Sequence, residues 1–288
     1  MEWYLVGLGC LLAGALIGFT GGVLGIGGGL LAIPLLGLVF DMPQQAAQGT
    51  ALVMVLPAVL LTVRKYNQRA RIDWHAAAAG AAGSIVFTWI GARIALGIDP
   101  ILLRRVYAAF ILCIAIFYFF QSRPRKNKTV AKGGESGRIG ARKGASDKFA
   151  AGKAASGKAA QPPPARSPAQ VHKGWFALVG VMAGMASGIF GVGGSVLAVP
   201  FLTTYFRLSQ TSAQALALSM IVPGVVVALA TYTAHGQAHW LIGLPLAAGS
   251  ICCVPYGVRC AYAMPEPRLK MIFALMLLVI IFLLLIKA

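Results

Sequence analysis

Acidic side chains are scarce in this sequence: seven Asp and Glu stand among 288 residues, against 25 Lys and Arg. They are Glu2, Asp41, Asp73, Asp99, Glu135, Asp147 and Glu266, and none falls in the middle of an apolar stretch. Cation-coupled carriers usually place a carboxylate inside the membrane as a ligand or proton relay. Its absence disfavours a cation or metal exporter and favours an anion. Charge of either sign is sparse. Charged residues make up 11% of the chain and hydrophobic ones 58%, whereas a soluble domain carries about 25% and about 45–50%. That leaves little room for a soluble enzyme.

Other absences narrow the class further. The five cysteines, Cys10, Cys113, Cys252, Cys253 and Cys260, all lie in apolar runs and lack metal-ligand spacing. The vicinal pair Cys252–Cys253 reads as helix packing. His75, His172, His235 and His239 fall at segment ends or in loops. No Ser/His/Asp or metal constellation points to catalysis, and no cofactor is expected. The first Lys or Arg is Arg64, so the apolar N-terminal stretch has no basic region of the signal-peptide kind and reads as a retained span. No segment alternates with period two, which disfavours a membrane β-barrel.

What the chain does have is a series of apolar runs approaching or reaching the length of about 20 residues that crosses a bilayer core. They lie at roughly 3–20, 28–40, 46–63, 74–96 and 101–120, and again at 175–188, 194–206, 213–232, 240–261 and 269–286. Their mixed Leu, Ala, Gly and Val content suits helices packed closely on other helices. Between the two series lies a low-complexity stretch of Lys, Gly, Ala and Ser with a Pro162-Pro163-Pro164 run. It buries too little apolar surface to offset its ordering entropy. The boundaries expected are therefore a first membrane repeat at 1–121, a flexible basic linker at 122–174 and a second membrane repeat at 175–288. The net charge is +18, and 13 of the 25 basic residues lie between Ser122 and Gly174. On a soluble protein such a charge would suggest nucleic acid. Here it reads as cytoplasmic loops of a multi-pass protein of the inner membrane. The partners expected are the lipid bilayer and a small anion, not nucleic acid.

The two series are related. Adding 166 to a first-half residue number finds its counterpart without a gap. Gly18, Gly22, Gly25, Gly27 and Gly28 meet Gly184, Gly188, Gly191, Gly193 and Gly194; Pro34 meets Pro200; Gln44 and Gln48 meet Gln210 and Gln214; Pro57 meets Pro223; Tyr66 and Trp74 meet Tyr232 and Trp240; Gly91 and Arg93 meet Gly257 and Arg259. Duplicated units are the common plan of secondary transporters, with the substrate between the repeats near the midplane. The loop at 64–71 carries Arg64, Lys65, Arg69 and Arg71, while its counterpart at 230–237 carries no Lys or Arg. That asymmetry favours inverted repeats with an odd number of crossings each. Arg104 and Arg105, which inversion places in an external loop, count against it. The fold class expected is an all-α integral membrane protein of two pseudosymmetric, inverted repeats, each with four to five hydrophobic segments and a glycine-broken helix.

The sharpest motif is Gly21-Gly22-Val23-Leu24-Gly25-Ile26-Gly27-Gly28-Gly29, ending at Pro34; its copy is Ser187-Gly188-Ile189-Phe190-Gly191-Val192-Gly193-Gly194-Ser195, ending at Pro200. Each glycine costs a helix about 1 kcal/mol relative to alanine, so a helix break is expected in each copy. Irregular backbone in hydrocarbon is tolerated only where it lines a cavity or is covered by protein. The helices restarting near Gly28 and Gly194 present amides without intrahelical partners and the positive ends of their dipoles. Two such starts face to face make an anion site without a formal charge. Glycine-mediated helix packing is the competing reading. It accounts for the four-residue spacing of Gly14, Gly18 and Gly22, but poorly for Gly27-Gly28-Gly29. A dinucleotide fingerprint fails for want of a βαβ pattern and an acid in the second copy, where Arg207 stands for Asp41.

The candidate substrate-binding residues are Gly25, Gly27, Gly28, Gly29, Gln44 and Gln48, with Gly191, Gly193, Gly194, Ser195, Gln210 and Gln214. The glutamines read equally as amide donors to an oxyanion or as glue between helices. Arg93 and Arg259 are a candidate gate, set against plain snorkelling to the interface.

With two copies of Gly-Gly-x-x-Gly-x-Gly-Gly-Gly…Pro opening two related halves, the chain resembles the TauE/SafE family of sulfite and organosulfonate exporters. The likeness covers residues ~5–120 and ~175–286 and leaves out the linker; Ser187 and Ser195 depart from the motif in the second copy. The resemblance implies export of a small sulfur oxyanion by a secondary mechanism. A carrier of another small solute or of a metal ion, and a non-transporting scaffold, stay open as alternatives.

Overall fold

The computed structural model describes residues 2–68, 74–122, 173–206, 208–264 and 266–286. Of the linker expected at 122–174, residues 123–172 lie outside them, as do Arg69, Arg71 and Arg207, while Ser122 ends one helix and Lys173 and Gly174 open another. The described residues form helices α1 (Glu2–Leu24), α2 (Gly29–Val39), α3 (Gln44–Asn67), α4 (Trp74–Gly97), α5 (Pro100–Ser122), α6 (Lys173–Phe190), α7 (Ser195–Thr204), α8 (Gln210–Ala234), α9 (Trp240–Ala263) and α10 (Glu266–Ile286). No strand occurs among them. Six of the helices are long and apolar enough to cross a membrane. Many outward side chains are large and apolar, such as Leu16, Leu241 and Phe282, so the chain is an all-α membrane protein.

The helix boundaries follow the 166-residue offset. The starts of α2 to α5, at residues 29, 44, 74 and 100, recur at 195, 210, 240 and 266, and the end of α1 at 24 recurs at 190. Both glycine motifs interrupt the helix, at 25–28 and 191–194. The pieces that follow, α2 with 11 residues and α7 with 10, are about 16 Å long at 1.5 Å per residue, half a bilayer core.

Glycines set the closest helix contacts. In α1, Gly14, Gly18 and Gly22 face Leu246, Ser250 and Val254 of α9. In α6, Gly180, Gly184 and Gly188 face Gly80, Ser84 and Thr88 of α4. Residues four apart lie on one helix face, and without side chains there the backbones come into contact. Both numbering series rise together, so each of these pairs is parallel. The four-spaced glycines are thus packing glycines and the consecutive ones are breaks: the two readings of the motif apply to different residues.

The same contacts give every direction that matters. α3 runs parallel to α9, with Gly243 against Thr50 and Val53, and Tyr262 ringed against Tyr66. It runs antiparallel to α8, since Tyr232 meets Gln48 while Tyr66 meets Gln214. α4 runs parallel to α8, with Gly80 on Met220 and Gly224 on Thr88. Hence α1, α3 and α9 point one way and α4, α6 and α8 the other, so that α1, α3 and α4 are opposite in sense to α6, α8 and α9, the helices 166 residues on. α2 begins against Met54 and Val55 in the middle of α3 and ends just before α3 starts. It therefore turns back beside α3, and the α1–α2 hairpin opens on one face of the molecule. The second break, at Gly193, lies beside Ile221 and Val225 in the middle of α8, and α7 ends just before α8 starts, so the α6–α7 hairpin opens on the other.

Proline and tyrosine cooperate inside α2. Pro34 supplies no N–H to the carbonyl four residues earlier, which is that of Leu30. The buried Tyr107 hydroxyl of α5 donates to this oxygen at 3.3 Å. The helix contacts predict a contrast between two substitutions. A Cβ at Gly184 would lie 2.7 Å from the Ser84 backbone, whereas Gly9 has nothing within 4 Å. Gly184→Ala is expected to destabilise by about 1–3 kcal/mol through overpacking, and Gly9→Ala to be neutral or stabilising by up to about 1 kcal/mol. Thermal unfolding in detergent checks both; equal behaviour of the two variants contradicts the packing account.

Candidate functional site

The two breaks use backbone conformations that glycine adopts without penalty. Gly25, Gly27 and Gly28 have φ of 65°, 72° and 82°, and Gly191, Gly193 and Gly194 have 65°, 80° and 63°. A side chain in this left-handed region costs roughly 1–2 kcal/mol per residue. Gly28 and Gly194 are the N-caps of α2 and α7 and offer no capping side chain. The first amides of both helices therefore have no side-chain acceptor at the cap, and each helix carries the positive end of its dipole there.

The breaks touch one another at the centre of the molecule. A Cβ on Gly29 would lie 3.2 Å from the Gly191 carbonyl oxygen and 3.4 Å from the Val192 Cα. Around them stand α3 and α8, which are buried over most of their length and contribute Val55, Ile221 and Val225 as apolar neighbours. Non-helical backbone here is covered by protein, as hydrocarbon requires.

Two crossed braces secure the junction. The Tyr66 hydroxyl of α3 donates to Gln214 Oε1 of α8 at 2.8 Å. Gln214 Nε2 in turn donates to the Leu24 carbonyl at 2.7 Å, one of the acceptors left open where α1 stops. In the mirror arrangement the Tyr232 hydroxyl of α8 donates to Gln48 Oε1 of α3 at 2.8 Å, with the Gly188 carbonyl 3.1 Å away. Gln48 Nε2, however, is buried with no partner. Each brace joins one half of the chain to the other.

The expected site residues therefore divide. Gly25, Gly27, Gly28, Gly29, Gln48, Gly191, Gly193, Gly194, Ser195 and Gln214 are brought to this junction. Gln44 and Gln210, also buried, open α3 and α8 one turn before Gln48 and Gln214. Gln44 borders a cavity of about 300 Å³ between the end of α2 and the start of α5, which Asp41 and Arg104 also line. Arg93 and Arg259 are exposed. Their guanidiniums sit over Trp89 and Tyr256 of their own helices, at 5.6 and 6.0 Å, on the outside of the molecule and not at the junction. Among the described residues no group of three His, Cys, Asp or Glu is placed to hold a metal ion.

Four buried polar residues were not among the site candidates named from the sequence. Tyr66 and Tyr232 form the braces, Ser187 is buried beside the second break, and Gln45 donates to the Ile98 carbonyl at 2.7 Å, closing the end of α4. The signal for the tyrosines was present: one polar side chain at the same repeat position in each half.

The sulfite exporter TauE/SafE family matches residues 10–284. Among similar proteins, a "Probable membrane transporter protein" of Methanocaldococcus jannaschii is 25% identical over 198 residues, covering 67% of this chain and 60% of its own length. Another of that description from Xylella fastidiosa strain Temecula1 is 24% identical, covering 83% of this chain and 78% of its own. One from Bacillus subtilis is 22% identical and covers 94% of each chain. No solved structure matches the chain.

The braces predict energetic coupling across the halves. Tyr66→Phe deletes one buried hydrogen bond and is expected to lower stability by about 1 kcal/mol. Gln214→Leu should cost more, because the Leu24 carbonyl loses its donor and the Tyr66 hydroxyl is left with only the long 3.4 Å contact to the Gly22 carbonyl. The double variant should then show a coupling of about 1 kcal/mol in thermal unfolding; strict additivity contradicts the brace.

Proposed function

The chain belongs to the sulfite exporter TauE/SafE family, and from that premise we propose that it is a secondary transporter exporting a small oxyanion, sulfite or a simple organosulfonate, through the junction between its halves. The observation that carries this reading is the meeting of the two helix breaks, with the uncapped start of α2 at Gly29 against Gly191 of the second, in a protein with no acid in the middle of any apolar segment. Backbone amides and helix dipoles stabilise a negative charge without contributing one that titrates. An anion desolvated there exchanges its hydration for fixed donors, and neither break attracts a cation.

The opposed directions of the two halves suit alternating access, in which one repeat rocks against the other around a central site. Arg64 and Lys65 end α3 on the face where α5 ends and α6 begins, and the sequence joining those two helices is the basic stretch. By the positive-inside rule this face is cytoplasmic, in an inner-membrane protein. With no carboxylate in a span to relay a proton, a proton that accompanies export travels on the substrate. Sulfite suits this role, because its second ionisation lies near neutral pH by general chemistry.

Sulfite flux from proteoliposomes tests the proposal. Gly28→Leu and Gly194→Leu are each expected to abolish flux, since both positions have positive φ and a Cβ at either meets backbone. Asp41→Asn should keep substantial flux: Asp41 lies at φ 52°, a region asparagine tolerates. Near-normal flux in both leucine variants removes the junction as the site, and complete loss in Asp41→Asn restores a protein-borne proton route.

A further inference from the structure

The two breaks share a backbone but differ in their polar atoms. At the first, glycine occupies both ends of the motif, Gly21 and Gly29, and the neighbouring Gln214 amide is consumed at both ends by Tyr66 and the Leu24 carbonyl. At the second, the ends are Ser187 and Ser195, both fully buried, and both hydroxyls lack a partner. The neighbouring Gln48 is fully buried too, and its Nε2 is likewise unpaired. A Cβ at Gly191 would lie 3.0 Å from the Gln48 Cβ, so this glutamine lies against the second break.

The repeat register shows how Ser187 is aimed. At its counterpart Gly21, a Cβ would sit 2.6 Å from the Gly28 nitrogen, the entry to α2. The Ser187 side chain accordingly projects toward the entry to α7, and Ser195 is the first residue of that helix. Space differs as well. A Cβ on Gly27 would run into Val59 Cγ2 at 2.5 Å, whereas at Gly193 it would make only ordinary contacts, 3.6 Å to Ile221 Cδ1 and 3.7 Å to Val55 Cγ1.

Buried polar groups without partners are rare in native proteins, because each forfeits its hydrogen bonds to water. Three around one helix start, facing a positive dipole end among apolar side chains, are donors awaiting an acceptor. Resting on the transporter reading above, we propose that the two breaks are functionally unequal: the oxyanion is held at the second, by the hydroxyls of Ser187 and Ser195 and the Gln48 amide at the start of α7, while the first is its closed structural counterpart. The ligand class is a compact anion with several acceptor oxygens, since three donors from different elements need as many acceptor sites.

The test uses the full-length protein in lipid nanodiscs with sodium sulfite as the probe, read by calorimetry and by the melting temperature. Ser187→Ala and Ser195→Ala remove a donor without adding volume. Each is expected to raise the Kd for sulfite about tenfold, the loss of one hydrogen bond to a charged ligand, and the pair about a hundredfold. Without sulfite, the melting temperature should stay the same or rise, because an unpaired buried hydroxyl has been deleted. Serines with a purely structural role would lower it instead. Wild-type binding that persists unchanged in the double variant overturns the assignment to the second break and leaves the transporter reading standing. Failure of the wild type to bind sulfite overturns both.

Discussion

A peptide group that leaves a helix inside hydrocarbon has no water to bond, and each unsatisfied one costs several kcal/mol. This chain breaks its helices twice at the centre of the molecule, and much of the surrounding structure answers that constraint. Glycines with positive φ form the turns. Gln214 satisfies the Leu24 carbonyl where α1 stops, and Tyr66 and Tyr232 hold the two glutamines in place. Further out, the Tyr107 hydroxyl reaches the Leu30 carbonyl, which Pro34 leaves without its usual donor.

These bonds make the two halves interdependent. α1 lies against α9 and α6 against α4, each hairpin resting on the opposite half through a glycine face. Neither half retains its neighbours alone. The Tyr66–Gln214 and Tyr232–Gln48 bonds tie these two halves together at the centre.

The junction is a polar point in an apolar body. Fully buried Gln48, Thr50, Ser84, Thr88, Ser187, Ser195 and Gln214 sit within helices whose outward faces carry leucine, valine and aromatic side chains. In a low-dielectric surrounding each hydrogen bond is stronger and each missing one more costly. On the proposed transporter reading, such a centre would meet a ligand with fixed dipoles that need no reorganisation. The family to which the chain belongs is named for sulfite export, and a neutral but strongly dipolar centre is consistent with the oxyanion proposed above.

Much of this was readable from the sequence, because it depends on local chemistry. Sparse charge and long apolar runs dictate membrane helices. Consecutive glycines such as Gly27-Gly28-Gly29 dictate a break, since helix propensity is a property of the residue itself. The constant offset of 166 locates the second break once the first is found. Other features were decided only by tertiary structure. Arg93 and Arg259 read along the chain as gate charges or as snorkelling side chains; that they lie over Trp89 and Tyr256 on exposed faces is decided by packing, because which side of a helix turns outward is set by its neighbours. Gln48 and Gln214 are equivalent in sequence, but one amide is paired and the other is not. A hydrogen bond is satisfied or left open by differences of a few tenths of an ångström between packed helices, and no residue's identity specifies distances of that size.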